Sequence, residues 1–121
     1  MLTSYITDNP TSYLSETAFY DAANFYFKNG KYSYALKWYN RVSEKDVSKN
    51  QKNTYNFNKA YSLFVSKRYS DAKKYFQKVQ NDSNYQENAN YYLGFIAYQL
   101  ENFEEANKNF DKLNRDNDKN I

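Results

Sequence analysis

Neither cysteine nor histidine occurs in these 121 residues. That absence removes thiol nucleophiles, disulfides, imidazole general bases and the usual zinc ligand sets in one step. A chain without disulfides fits either redox compartment, so localisation stays open on this ground. Two glycines and one proline leave strand-and-turn architectures little punctuation. No apolar run reaches the ~18 residues of a transmembrane helix, and no membrane span is expected. The first eight residues, Met1 to Asp8, show no cationic start followed by an apolar core, so no targeting peptide is expected. Glu104 and Glu105 are adjacent, which points them to different sides of a helix and away from a shared bond. No Gly-rich phosphate loop, metal-ligand spacing or nucleophile with a base is present. The chain reads as non-enzymatic, with no cofactor and no metal.

What is abundant is aromatic: 15 Tyr, 9 Phe and 1 Trp. Their placement follows a repeat marked by Ala35, Ala72 and Ala106, spaced 37 and 34 residues apart. Four residues after each alanine stands an aromatic (Tyr39, Phe76, Phe110), and three further on an aliphatic (Val42, Val79, Leu113). Three before each stands another aromatic (Tyr32, Tyr69, Phe103), and twelve before each a small residue (Ala23, Ala60, Gly94). A period of about 34 residues with two short helices per unit is the signature of a stacked repeat, for which three units are roughly the minimum. Small residues are needed where helices cross closely, and the rings fill the wider gaps. Packing accounts for Tyr26, Tyr32, Tyr39, Tyr69, Phe76, Phe103 and Phe110.

The spacing predicts helices over 15–28, 32–42, 53–66, 70–79, 87–100 and 103–113, with Ser12 and Ser15 as candidate N-caps. Asn29-Gly30 is expected to close the first helix with a left-handed cap. The polar stretch 43–52 is expected to be a loop insertion, 81–84 a turn, and 114–121 a frayed tail.

Net charge is +3 but uneven: residues 1–27, 28–78 and 79–121 sum to −3, +10 and −4. The basic middle reads as a Lys-rich solvated face. Binding of nucleic acid or an anionic surface is the alternative it leaves, separable by a steep salt dependence.

These units resemble the tetratricopeptide repeat (TPR). The third, Asn90 through Ala106 to Phe110 and Leu113, is similar to the family pattern nearly throughout, and the first almost as closely through Phe19, Ala23, Tyr26, Gly30, Tyr32, Ala35 and Tyr39. The second departs from it at Asn56, Lys59 and Lys67, where the family has an aromatic, a leucine and a glycine. The resemblance implies an all-α solenoid of three TPR-like helical hairpins, about six antiparallel helices in a right-handed superhelix. Residues 1–121 would form one domain, with repeats at about 16–49, 53–86 and 87–120. It would be a fragment of a longer chain that self-associates through its C-terminal repeat.

In this family the inner faces of the first helices of each hairpin line a concave channel that binds a protein or peptide. The family's slots fall here on Tyr20, Asn24, Phe57, Asn58, Tyr61, Tyr91, Tyr92 and Phe95, with Phe27 and Phe64 also on that face. Tyr and Phe offer contact area at low entropy cost, and Asn offers a donor and an acceptor to a peptide backbone. Packing against the next helix is the other use open to these rings. Asn24 and Asn58 occupy the asparagine slots of a carboxylate clamp, but Tyr20, Asn88 and Tyr92 fill its cationic slots, which disfavours chaperone-tail binding. A weaker resemblance, Asn9-Pro10-x-Ser12, is to the opening of hairpins in bacterial envelope TPR proteins. It implies a periplasmic or outer-membrane-associated setting.

Overall fold

The computed structural model of this chain describes residues 13–119, with side chains from 17 to 113. Helix α1 spans Tyr13–Lys28, α2 Tyr32–Tyr39, α3 Lys52–Val65, α4 Tyr69–Gln77, α5 Gln86–Gln99 and α6 Phe103–Lys119. The described residues contain no strand, and none of their helices is long and apolar enough to cross a membrane. The chain is all-α. Each helix packs chiefly on the partner joined to it by a three-residue turn: α1 on α2, α3 on α4, α5 on α6. Lesser contacts link α2 to α3, α4 to α5, and α1 to α3.

The three turns share one backbone design. Gly30, Lys67 and Glu101 have φ of 73°, 62° and 62°, and they are spaced by the same 37 and 34 residues as the marker alanines. In each turn this residue's N–H returns to the carbonyl three back (Phe27, Phe64, Tyr98) at 3.0 Å. The next N–H returns to the carbonyl five back (Tyr26, Leu63, Ala97) at 2.8–2.9 Å. This is the Schellman arrangement, which satisfies carbonyls the helix end leaves open. Glycine takes the left-handed region without penalty; Lys67 and Glu101 take it at a cost of roughly 1–2 kcal/mol each. The absence of glycine at position 67 therefore changes the energy of the turn and not its shape.

Several boundaries differ from the sequence expectation. Helix α1 begins at Tyr13, so Ser15 lies within it and is not its cap; Ser12 lies outside the described residues, as do Asn9 and Pro10. Helices α2 and α4 stop at Tyr39 and Gln77. Beyond them Arg41, Val42, Lys78 and Val79 donate to carbonyls three residues back, a tightened last turn. Helix α6 continues to Lys119 in place of a fray after Leu113, because nothing from 103 onward stops it, neither glycine nor proline. The insertion is ordered into two 3-10 turns, Glu44–Asp46 and Lys49–Gln51, anchored between them by the buried Val47.

Ala35, Ala72 and Ala106 are 0, 0 and 2% exposed, as a close helix crossing requires. At Gly94 the approach leaves no room for a side chain: a Cβ there would meet Phe110 Cε1 at 2.6 Å. Tyr39 and Phe76, the matching rings of the other pairs, are fully buried. Phe103 departs from its expected packing role. It is 53% exposed, touching the equally exposed Tyr98 at 5.3 Å between ring centres, because no further helix covers that side of α6 among the described residues.

Candidate binding face

The periodicity of α1, α3 and α5 brings one edge of each helix beside the next, and aromatic rings occupy that edge. Phe27 of α1 meets Tyr61 of α3 at 6.0 Å between centroids. Tyr61 meets Tyr92 of α5 at 5.4 Å, Tyr92 meets Phe64 at 5.0 Å, and Phe64 meets Phe95 at 5.3 Å. These distances suit tilted and edge-to-face pairs, each contributing about 0.5–1.5 kcal/mol beyond area burial. The second helices of the pairs support the ladder from behind, with Tyr32 on Tyr61 at 5.1 Å and Phe76 stacked on Tyr92 at 5.3 Å. The rings are thus half-buried by one another. Burial raises the Tyr92 phenol above its ordinary pKa, and its tyrosine neighbours add to the shift.

Of the eight residues assigned to the channel, Tyr61, Tyr92 and Phe95 stand in this ladder. Tyr91 is 52% exposed and lies against Tyr92 at 5.3 Å. Phe57 is not a ladder ring: it packs on Phe76 behind the ladder at 5.7 Å and is stacked at 4.8 Å on Tyr85, whose hydroxyl also bonds Thr54 at 2.8 Å. Tyr20 is only 7% exposed, tucked between Tyr39 and Tyr55 at 6.4 and 6.5 Å. Burial raises its phenol pKa, partly offset by the Asn24 amide.

Asn24 and Asn58 meet at one buried hydroxyl. Tyr39 donates its O–H to Asn24 Oδ1 and accepts from Asn58 Nδ2 at 3.0 Å. One oxygen of α2 therefore ties α1 to α3 and fixes how both amides face. Burial pushes the Tyr39 phenol well above its ordinary pKa, against the Asn58 bond that lowers it. Each amide thus spends one polar end on the fold.

Apart from the ladder, beside Tyr20 in the first half of α1, lies a cleft of about 450 Å³. One wall is Thr17, Tyr20 and Asp21 of α1; the other is the insertion, through Val47, Ser48 and Gln51. The repeat explains its existence. Gln51 and Tyr85 both stand 21 residues before their marker alanine. Tyr85 covers Phe57 by stacking, whereas Gln51, behind a loop three residues longer, leaves the corresponding space over Tyr20 open. Sequence reasoning missed both Tyr85 and this wall, although the shared offset from the alanines marks them. A volume of this size is typical of ligand clefts, which run from about 300 to 1,000 Å³.

The ladder rings and the two amides are themselves uncharged, whereas Asp21, Lys45 and Asp46 line the cleft beside Tyr20. The bases of 28–78 are dispersed: Lys73 pairs with Glu105 at 3.0 Å and Lys78 with Glu44 at 2.6 Å, while Arg41 lies over the Trp38 ring at 5.2 Å. No protein-family model and no curated protein matches this chain.

Proposed function

We propose that this chain is a TPR-type protein-interaction scaffold: three helical hairpins in a right-handed solenoid whose α1, α3 and α5 face binds an extended protein segment. The single observation that carries this reading is the ladder of uncharged rings from Phe27 to Phe95. The thrice-repeated left-handed turn, in step with the alanine register, supports the solenoid. The dispersal of the lysines favours a peptide over nucleic acid, which needs a continuous basic track.

Tyr61 is central, touching rings of three other helices. Truncating a central aromatic commonly costs ~2 kcal/mol or more, so Tyr61→Ala should weaken a bound peptide roughly thirtyfold, at about 1.4 kcal/mol per tenfold change. The test is selection of binders from a displayed library of extended peptides, followed by titration against Tyr61→Ala and Lys49→Ala. Selected peptides should lose affinity with the first variant and keep it with the second, since exposed charges mainly alter encounter rate. Peptides that ignore Tyr61→Ala, or that depend on Lys49, would overturn the assignment.

A further inference from the structure

Lys59 stands thirteen residues before its marker alanine, where the first and third helix pairs have Ala22 and Leu93. It is 8% exposed. Its ammonium donates to the Tyr55 hydroxyl at 3.2 Å and sits over the Tyr75 ring at 4.6 Å. Tyr55 donates its own proton to the Val42 carbonyl at 3.0 Å, which leaves its lone pairs to the lysine. Among the described residues no carboxylate pairs with Lys59. Burial works against its charge, yet the Tyr75 and Tyr55 contacts outweigh it and hold the pKa above the ordinary lysine value. Repeats one and three show that an apolar residue fits this slot, so the fold itself does not call for a cation there.

Lys59 lines a cleft of about 220 Å³ between the end of α2 and the α3–α4 pair. Asn40, Arg68, Asp71 and Lys74 stand around it. Asp71 engages Arg68 at 3.0 Å, so the positive charge left over belongs to Lys59 and Lys74. None of the ladder residues lines this cleft, which makes it independent of the peptide face.

We propose that the cleft binds a phosphate monoester, with the dianion between Lys59 at the floor and Lys74 at the rim and the Asn40 amide as a further donor. Two uncompensated ammonium groups match two negative charges, and charge-assisted bonds are the strong ones. The volume corresponds to roughly seven waters at ~30 Å³ each, enough for a phosphate and a short organic stem.

The experiment follows backbone amide shifts of the 15N-labelled full chain. Glycerol 3-phosphate, inorganic phosphate and O-phospho-L-serine are added in turn, with sodium chloride at matched ionic strength as control. Saturable shifts at Asn40, Lys59 and Lys74 are expected with the phosphates and not with chloride. Tighter binding of glycerol 3-phosphate assigns the site to a small organic phosphate, and tighter binding of O-phospho-L-serine to a phosphorylated side chain. Lys59→Met and Lys74→Met should each weaken binding at least tenfold. Lys74 is exposed, so its variant remains informative should Lys59→Met not fold. Shifts that never saturate, or binding retained in either folded variant, would overturn the proposal.

Discussion

Replacing Tyr39 by phenylalanine removes one oxygen from the centre of the molecule and tests whether it joins the first two helix pairs. The ring is completely buried, and phenylalanine fills the same space, so no cavity arises. Two hydrogen bonds are lost, the donation to Asn24 Oδ1 and the acceptance from Asn58 Nδ2. A neutral bond contributes about 0.5–1.5 kcal/mol net, and an abandoned buried partner costs about 1–3 kcal/mol. Asn24 and Asn58 are only partly buried, so water can reach them and the loss falls near the low end, about 1–2 kcal/mol. For a chain of this length that lowers Tm by roughly 3–8 °C. Urea unfolding followed by far-UV circular dichroism reads the free energy directly. A double-mutant cycle with Asn58→Ala should return a coupling of at least ~0.5 kcal/mol. The alkaline limb supplies a second reading. The Tyr39 phenol is raised by burial, so the stability it confers is present below its unfolded pKa of about 10 and is lost as pH rises. Tyr39→Phe lacks that titration, and its deficit should narrow above pH ~10. An unchanged midpoint with no coupling to Asn58 would refute the tie.

The turn chemistry predicts that Lys67→Gly and Glu101→Gly each stabilise the chain by about 1 kcal/mol, the relief of the left-handed strain exceeding the added unfolded-state entropy; chemical denaturation of the single and double variants checks this, and a loss in either would contradict it. Ala72 is fully buried, so Ala72→Leu should overpack the α3–α4 crossing and cost about 1–3 kcal/mol, a result that an unchanged melting curve would exclude. The pH profile should fall at both ends. The Lys78 hydrogen bond to Glu44 holds its carboxyl below the usual value near 4.5; this modest contribution, discounted for exposure, is present above that pH and is lost as pH falls, and Glu44→Gln should flatten the acid limb. Tyr20, Tyr55 and Tyr92 are raised mainly by burial, so the alkaline limb should coincide with phenolate absorbance appearing as the chain unfolds.

Much of the helical framework was legible in the sequence, because helix formation and close crossing are local demands with a fixed period. Ala35, Ala72 and Ala106 had to be small wherever the pairs crossed, and Gly30 announced its turn by its residue type. The Lys67 and Glu101 turns were legible only through the repeat, since neither residue favours a left-handed backbone; the hydrogen bonds to Leu63 and Ala97 carbonyls impose it. The start of α1 and the ends of α2 and α4 escaped prediction because capping depends on which orphan groups the surrounding backbone satisfies; the length of α6 was open to the sequence, which has no glycine or proline after 103.

The candidate site divides along the same line. Periodicity placed Tyr61, Tyr92 and Phe95 on one edge, and contact between neighbouring helices then decided that these rings support one another. No local pattern could show that Tyr20 is enclosed by Tyr39 and Tyr55, or that Asn24 and Asn58 share a hydroxyl, for those partners lie 15 to 35 residues away along the chain. Sequence alone determined the helices and the spacing of their small and aromatic residues, because each follows from backbone geometry within a turn or two. Only the tertiary structure decided which polar groups were spent on the fold, as the Tyr39 hydroxyl and the Asn24 and Asn58 amides are, and that Lys59 stands without a carboxylate partner beside a cleft, because satisfaction of charge and hydrogen bonds depends on what the remote parts of the chain bring alongside.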